Sequence, residues 1–319
     1  MINNDLNILF LGGAKRVSIA HHFIQAGKQL GLTVHIFSYE LDLQVPIACT
    51  ATVLIGKKWR DPEIIQDLQS VCSQHKIGIV LPFVDPAIEI AARLKSCTPN
   101  VFIPVSNLNL CRTMFDKRKA QQWFENLSIK TPTVYHYRKE VVFPAILKPA
   151  TGSASKGIVI AYNQNDLDKI QDFENYLAQE YIDPHREYTV DCYVSQTGET
   201  VCCIPRIRIE TAGGEAIRTK TIKNPTLIET SKKILSSPGY EGPITIQFIE
   251  NIDNGNIYIM EINPRIGGGA VACIAAGCNI PLYIILEWMG EKISPCNEWT
   301  ENILVTRYLQ EVIFYANNH

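Results

Sequence analysis

The sequence predicts an α/β domain with a parallel sheet, followed by a larger region of mixed α+β architecture. Three observations support this prediction. Over the first 110 residues, short apolar strands alternate with amphipathic helices, which is the pattern of βαβ units. After Pro132 the pattern changes to many short strands separated by close turns. The length of 319 residues suits about two domains, because domains usually hold roughly 100–200 residues.

The first third opens with an apolar strand at Asn7–Leu11, which ends in two glycines. Apolar residues then recur at near-helical spacing over Arg16–Leu30, so a helix should follow that strand. The other elements expected here are the strands Thr33–Ser38, Ile77–Pro82 and Val101–Pro104 and the helices Pro62–His75 and Asp85–Leu94. Strands joined through helices in this way form a parallel sheet.

A polar helical stretch at 107–127 links the two regions. Beyond it, apolar and β-branched runs predict the strands Phe143–Lys148, Gly157–Ala161, Leu177–Tyr181, Tyr188–Val194, Val201–Arg208, Ile244–Ile249 and Ile257–Asn263. No internal repeat or low-complexity linker interrupts them. This second region therefore forms an α+β architecture of short strands with scattered helices.

Composition narrows the class of protein. Hydrophobic residues make up 46% of the chain and charged residues 19%, which is ordinary for a globular protein. Thirty basic and 32 acidic residues give a net charge of −2, which argues against a nucleic-acid partner held by bulk electrostatics. No apolar run reaches the roughly 18 residues of a spanning helix, and the polar, acidic start does not resemble a signal peptide. We therefore expect a cytoplasmic protein without a membrane or nucleic-acid partner.

The ten cysteines show neither a C-x-x-C pair nor the spacing of a zinc finger. Most lie within apolar stretches, as in Val201-Cys202-Cys203-Ile204. We interpret them as reduced residues that act as small buried apolar side chains.

The first candidate site is the turn Gly12–Arg16, between the first strand and the first helix. A glycine-rich turn of this kind presents backbone N–H groups at a helix N-terminus, where an anion can bind. The G-x-G-x-x-G dinucleotide fingerprint is missing, and the acidic residue after the second strand, Glu40, comes late. Three interpretations stay open: a tight turn that needs small residues, an anion site for a substrate, or a nicotinamide site.

The second candidate is Lys148, which ends a buried strand and precedes a loop of small residues, Ala150–Gly157. Backbone N–H groups and hydroxyls such as that of Ser153 can bind phosphate oxygens, and the lysine supplies a point charge. The alternative is a flexible hairpin beside a lysine that only reaches the surface. The loop is not a Walker A motif, because no G-K-[ST] opens a helix.

The third candidate is the hairpin that includes Ile257–Arg265. Residues at i, i+2 and i+4 share one face of a strand, so Glu261, Asn263 and Arg265 point the same way. A carboxylate, an amide oxygen and a guanidinium can bind Mg²⁺ together with a phosphate. A three-residue loop at Asp253–Gly255, with Gly255 left-handed, would pair Gln247 with Glu261 and add it to this site. The alternative is an exposed strand end.

Taken in order, these segments resemble the ATP-grasp superfamily, in its carbamoyl-phosphate-synthase-like branch. The resemblance covers roughly residues 5–290 and includes FPAILKPATGSASKGI, the segment 178–182 (AQEYI) and QFIEN…NGNIYIMEINPR. It implies a Rossmann-like pre-ATP-grasp domain at 1–110 and a two-lobed ATP-grasp domain, with lobes at 111–185 and 186–319, the second ending in a short helical tail. The chain holds one such unit and no glutaminase part.

The resemblance also implies roles for individual residues. ATP and Mg²⁺, or Mn²⁺ in its place, would bind between the lobes, with small-molecule substrates beside them at Gly12–Arg16, Asp85–Glu89 and Ile266–Val271. The implied metal ligands are Gln247, Glu261 and Asn263. The implied ATP-binding residues are Lys117, Lys148, Ser153, Glu180, Tyr181, Ile182, Glu187 and Gln247. The implied catalytic residues are Arg265, Lys148 and Arg218, where Arg218 and Arg206 rank above the other positive residues of two neighbouring strands, Arg208 and Lys220.

The activity implied is that of an ADP-forming carboxylate–amine ligase, which activates a carboxylate as an acyl-phosphate. A carboxylate–thiol ligase is a variant of the same reaction. Two alternatives stay open at this point: a regulatory or degenerate ATP-binding protein without turnover, and a Rossmann oxidoreductase. Retention of Gln247, Glu261, Asn263 and Arg265 argues against the first, and the missing fingerprint argues against the second. A homodimer is also plausible by resemblance.

Overall fold

The protein is described here by a computed structural model that covers residues 4–152 and 156–315. Within these residues the first sheet has the order β3-β2-β1-β4, and all its pairs are parallel. Its elements are β1 (Asp5–Leu11), α1 (Val17–Gln29), β2 (Thr33–Glu40), β3 (Thr52–Ile55), α2 (Ile64–Gln74), β4 (Ile77–Pro82) and α3 (Asp85–Lys95). The predicted α/β unit with a parallel sheet is therefore confirmed.

Two details of this sheet differ from the prediction. The strand expected at Val101–Pro104 forms only a single parallel bridge, between Phe102 and Ile79, because Pro104 has no N–H with which to extend a ladder. Strand β3 was not predicted. Its four residues are too few to show a periodic pattern, and it takes its strand form from pairing with β2.

The linking helical stretch is two helices, α4 (Leu108–Phe115) and α5 (Lys117–Asn126), where the sequence suggested one. The break is at Asp116, whose backbone is extended at φ −94° and ψ 110°. Its carboxylate accepts a hydrogen bond of 3.0 Å from the backbone N–H of Arg118 and so caps the second helix. The next residue, Lys117, thereby starts a helix at the edge of the glycine-rich loop.

The second sheet has the order β5-β8-β6-β7 and is antiparallel. Its elements are β5 (Val134–Tyr135), β6 (Ala145–Pro149), β7 (Val159–Ala161), α6 (Gln164–Asp168) and β8 (Tyr176–Glu180). A small apolar cluster that includes Leu147 and Leu167 fills one face of this sheet. It presents the loop after β6 to the rest of the molecule.

The third sheet has the order β13-β12-β9-β10-β11-β14 and is antiparallel. Its elements are β9 (His185–Val194), β10 (Thr200–Ala212), β11 (Glu215–Thr221), α7 (Pro225–Leu235), β12 (Gly242–Asn251), β13 (Ile257–Asn263), α8 (Val271–Ala275), α9 (Ile280–Trp288) and β14 (Leu304–Thr306). Together the sheets form the mixed α/β and α+β architecture that the sequence predicts, and the domain limits at 110 and 185 remain our proposal.

The cores follow the alternation of the strands. In β1, Leu9 and Leu11 pack with α2 and α3, whereas Ile8 and Phe10 face α1, α8 and α9. The latter core continues into the third sheet through Tyr193 of β9. The opposite face of the third sheet packs on α4, α5 and α7. The parallel sheet and the large antiparallel sheet therefore share one core, and a cleft is left where their polar ends meet. Among the described residues, no helix is both long enough and apolar enough to cross a membrane.

Candidate active site

A cavity of about 340 Å³ lies where the first sheet, the glycine-rich loop and the third sheet meet. This volume is within the range of small-molecule sites. Its walls are contributed by Arg16, the segment 83–89 after β4, the helices α4 and α5, the loop after β6, and the strands β9, β10, β12 and β13. The predicted residues Lys117, Lys148, Glu187, Gln247, Glu261, Asn263 and Arg265 all line it.

The polar end of the β12–β13 hairpin supplies three side chains to one point. Gln247 is paired with Glu261 across the strands, and its amide donates a hydrogen bond to the Glu261 carboxylate. The Asn263 amide donates to the same Oε1 atom at 2.9 Å. A carboxylate with two amide oxygens beside it is a donor set that suits a hard cation such as Mg²⁺, so these residues fit the predicted metal.

The pairing of Gln247 with Glu261 is confirmed, but the loop that was expected to produce it is wrong. The Asn251 N–H bonds to the Asn256 carbonyl, so the loop has four residues, and Gly255 is left-handed at φ +69° as expected. That loop alone would put the strands one residue out of the predicted register. A β-bulge at Met260 restores it, since Phe248 pairs with Ile259 while Gln247 pairs with Glu261.

Lys148 ends β6 inside the cleft and is 8% exposed. Its Nζ donates a hydrogen bond of 3.1 Å to Oε1 of Gln179. Burial lowers the pKa of Lys148 to about 8, and the charge of Lys117 lowers it further, while Glu261 and Glu187 oppose the shift. The protein therefore holds an ammonium group in a poorly solvated position with no direct carboxylate partner among the described residues. An anionic ligand would stabilise it there.

Lys117 lies across the cavity from the hairpin. Its backbone N–H bonds to the carbonyl of Ala150 at 2.8 Å, and its Nζ donates to the carbonyl of Gly152 at 2.9 Å. Gly152 has φ +130°, a conformation that side chains rarely adopt, so glycine is required at this turn. The predicted Ser153 lies outside the described residues.

Glu187 and Arg208 form an ion pair on the cavity wall, with Nε of Arg208 2.8 Å from Oε2 of Glu187. Arg208 also donates to Oε1 of Gln247 at 3.3 Å and to the carbonyl of Gly214 at 3.0 Å. It thus connects the metal-type cluster with the β10–β11 turn. The sequence placed Arg208 on this face but ranked it below Arg218.

The structure does not bring Arg218 to the cavity. The side chain is 44% exposed and pairs with Glu210 at 3.2 Å. A register irregularity between Arg208 and Glu210 interrupts the alternation on which the prediction rested. Arg206 is on the cavity side of the sheet but is 2% exposed and bonded to Asp191 at 2.7 Å, so it supports the fold beneath the site.

Arg265 points from the third sheet to the first. Its Nε and one terminal nitrogen each lie 3.0 Å from Oδ1 of Asp85, the first residue of α3. This ion pair is mostly buried and spans 180 positions of sequence. It fixes the guanidinium at the junction of the two sheets, beside the metal-type cluster.

A second ion-pair network closes the other side of the cavity and includes a residue that the sequence did not suggest. Glu215 accepts from Arg16 at 2.7 Å and also pairs with Arg307. Burial alone would raise the pKa of Glu215, but the hydrogen bonds and charges of the two arginines outweigh it and hold the pKa at about 2. A glutamate directly after the Gly213-Gly214 turn was the only sequence signal.

The segment Glu180–Ile182 lies at the end of β8 and does not line the cavity. Glu180 accepts a hydrogen bond from the Thr133 hydroxyl, and the Tyr181 N–H donates to the Pro144 carbonyl at 3.2 Å. Ile182 is 4% exposed. These residues therefore form the connection between the second and third sheets, next to the cleft.

Comparison with known proteins agrees with this geometry. A family model described as "ATP-grasp in the biosynthetic pathway with Ter operon" matches residues 172–311. The large chain of carbamoyl phosphate synthase from Clostridium botulinum is 26% identical over 305 residues, which cover 86% of this chain and 27% of the relative. The chain thus spans about a quarter of that relative's length.

Two solved structures have the same fold. A biotin carboxylase–β,γ-ATP complex from Campylobacter jejuni superposes with a TM-score of 0.75 at 20% identity, covering 93% of this chain and 74% of the other. The chain belongs to the ATP-grasp superfamily. A further ATP-grasp likeness, at TM-score 0.74 and 18% identity, is the biotin carboxylase domain dimer of 2-oxoglutarate carboxylase from Hydrogenobacter thermophilus, in complex with MgADP, ADP and bicarbonate. That match covers 93% of this ATP-grasp chain and 73% of the other.

Proposed function

We propose that this ATP-grasp chain is an ADP-forming ligase that phosphorylates a small-molecule carboxylate and transfers the acyl group to an amine. The observation that supports it most directly is the convergence of Glu261, Asn263 and Gln247 with three cationic side chains, Lys148, Arg208 and Arg265, on one cavity. Phosphoryl transfer needs positioning and charge neutralisation above all, and these groups supply both.

Each group has a part in the proposed reaction. Glu261, Gln247 and Asn263 would hold Mg²⁺, which neutralises phosphate charge when it is bound. Lys148 and Lys117, with Ser153 in the same loop, would bind the phosphates. Glu187 would bind the ribose, and the segment Glu180–Ile182 would bind adenine at the edge of the cleft.

The chemistry proceeds in two displacements. A carboxylate oxygen of the substrate attacks the γ-phosphorus, and the bond to the β–γ bridging oxygen breaks, which releases ADP. An amine then attacks the acyl carbon, loses a proton and expels phosphate. Arg265 lies where the two sheets meet and would stabilise the negative charge of the transferring group. We do not assign Arg218 a part in this, because it faces solvent.

Phosphate release from Mg·ATP tests the proposal, run over pairs of amino acids and small carboxylates. Release should require one class of pair and should be lost in Glu261→Gln. The matched control is Glu250→Gln, at the other end of the same hairpin, where the carboxylate accepts from the Tyr188 hydroxyl. Calorimetric ATP binding without release for any pair would favour the nucleotide-sensing alternative. A homodimer is proposed only by analogy with the dimer of the related biotin carboxylase domain.

A further inference from the structure

Four cysteines from separate segments meet at a point in the core that the ATP cavity does not include. The sulfurs of Cys202, Cys273 and Cys278 all lie within 4.8 Å of one another, and all three residues are buried. The sulfur of Cys296, which is partly exposed, lies 2.8 Å from that of Cys278. All ten cysteines are in the described residues and none forms a disulfide there. Buried cysteines were expected, but this convergence was not.

The fold holds these residues together through the backbone. Cys273 is in α8, and the Cys278 N–H bonds back to the Cys273 carbonyl at 3.1 Å, after a left-handed Gly277. The turn places both sulfurs on one side of the helix end. The Cys296 N–H bonds to the Val201 carbonyl at 2.7 Å, which brings Cys296 beside Cys202 of β10.

We propose that Cys202, Cys273, Cys278 and Cys296 bind one thiophilic divalent cation of the Zn²⁺ type. Four thiolates at about 2.3 Å from Zn²⁺ have sulfurs about 3.8 Å apart, so three of them already have tetrahedral spacing within the 4.8 Å limit. Cys296 has to move its sulfur away from Cys278 by about 1 Å, which a small rotation of a partly exposed side chain allows. Each thiol gives up its proton as it binds the ion.

A disulfide or simple apolar packing would each account for less of the arrangement. A disulfide between Cys278 and Cys296 would use two sulfurs and leave Cys202 and Cys273 as buried thiols that happen to face it. Simple apolar packing does not produce a 2.8 Å approach, since unbonded heavy atoms pack at roughly 3.5–4.0 Å. The Tyr283 hydroxyl also lies beside the Cys278 and Cys296 sulfurs, where it can donate to a thiolate.

The ion would fasten the C-terminal segment to the core. Cys296 lies between α9 and β14, and Arg307, directly after β14, pairs with Glu215 at the ATP cavity. Metal binding should therefore stabilise the wall that carries Glu215 without supplying a group to the reaction. This role is independent of the proposed ligase activity.

Cobalt is the probe. Fully reduced, chelator-treated protein is titrated with Co²⁺, and one equivalent should give thiolate-to-cobalt charge-transfer absorption and the visible bands of a tetrahedral site. Zn²⁺ should displace it with one equivalent per chain. Excess Zn²⁺, at about 100 times Kd, should raise the Tm by about 4 °C or more.

Two variants separate the site from general effects on folding. Cys296→Ser changes a partly exposed residue and should weaken Co²⁺ binding at least about tenfold. Cys203→Ser is the matched control, because Cys203 neighbours Cys202 but faces the other core, beside Cys192, and it should leave Co²⁺ binding unchanged. Absence of stoichiometric metal in protein with ten titratable thiols would overturn the proposal. A purified chain with a Cys278–Cys296 disulfide and no bound metal would overturn it equally.

Discussion

Lys148 is the residue whose replacement should show most clearly that the fold gives up stability for ligand binding. Its ammonium group is buried, and its one hydrogen bond to a described side chain goes to Gln179. Substitution to methionine keeps most of the apolar stem and removes the charge. We expect the ligand-free variant to be more stable than the natural protein at neutral pH and unable to bind ATP tightly.

The magnitude follows from the pKa of Lys148. A fall from the usual 10.5 to about 8 corresponds to about 3 kcal/mol of unfavourable free energy in the charged folded state. Removing the lysine leaves the Gln179 oxygen without its donor, which costs about 1 kcal/mol. The net expectation is a gain of about 2 kcal/mol in the free energy of unfolding.

The pH dependence has a definite sign. The unfolded lysine binds its proton at higher pH than the folded one, so the destabilisation is full below pH 8 and vanishes above 10.5. Urea unfolding of both proteins at pH 7 and pH 10 measures it, and the gain should fall to near zero at pH 10. Lys117→Met, at a partly exposed lysine, is the control and should give no gain. A Lys148→Met protein less stable than the natural one at pH 7, or a difference independent of pH, would refute the reasoning.

Three further predictions concern single side chains. Glu261→Gln should reduce Mg²⁺-dependent ATP turnover by about 100-fold or more while the Tm stays within a few degrees; a large loss of folding would indicate a structural role instead. Glu187→Ala should weaken ATP binding by calorimetry more than it weakens acceptor binding, and equal weakening would place Glu187 outside the ribose site. Gly269→Ala should destabilise the protein by about 2 kcal/mol in urea, because its Cβ would lie 2.6 Å from Cζ of the buried Arg206; a change under about 0.5 kcal/mol would show that the arginine can move.

Much of the fold was predictable because strong local patterns agree with the tertiary structure. The strands β4 and β13 have the bounds that the apolar runs predict. The face shared by Glu261 and Asn263 follows from strand alternation alone. The break at Asp116 was not predictable from periodicity, because both flanking segments are helical and a side-chain cap decides where the second one starts.

Irregular pairing set the limit for the site. The bulge at Met260 and the irregularity after Arg208 depend on how neighbouring strands fit, which a single sequence does not show. The first left the predicted pair intact, and the second turned Arg218 to solvent. Glu215 was missed for another reason: its partners Arg16 and Arg307 are 199 and 92 positions away, so only the folded chain brings the charges together.

Trapping of the activated carboxylate tests the central claim most directly. Mg·ATP is incubated with the protein, a series of small carboxylates and hydroxylamine, which takes the place of the amine. The proposed reaction predicts a hydroxamate from one class of carboxylate, formed in a one-to-one ratio with ADP and lost in Glu261→Gln. Formation of ADP without hydroxamate, or ATP binding without ADP for every carboxylate, would contradict an acyl-phosphate ligase.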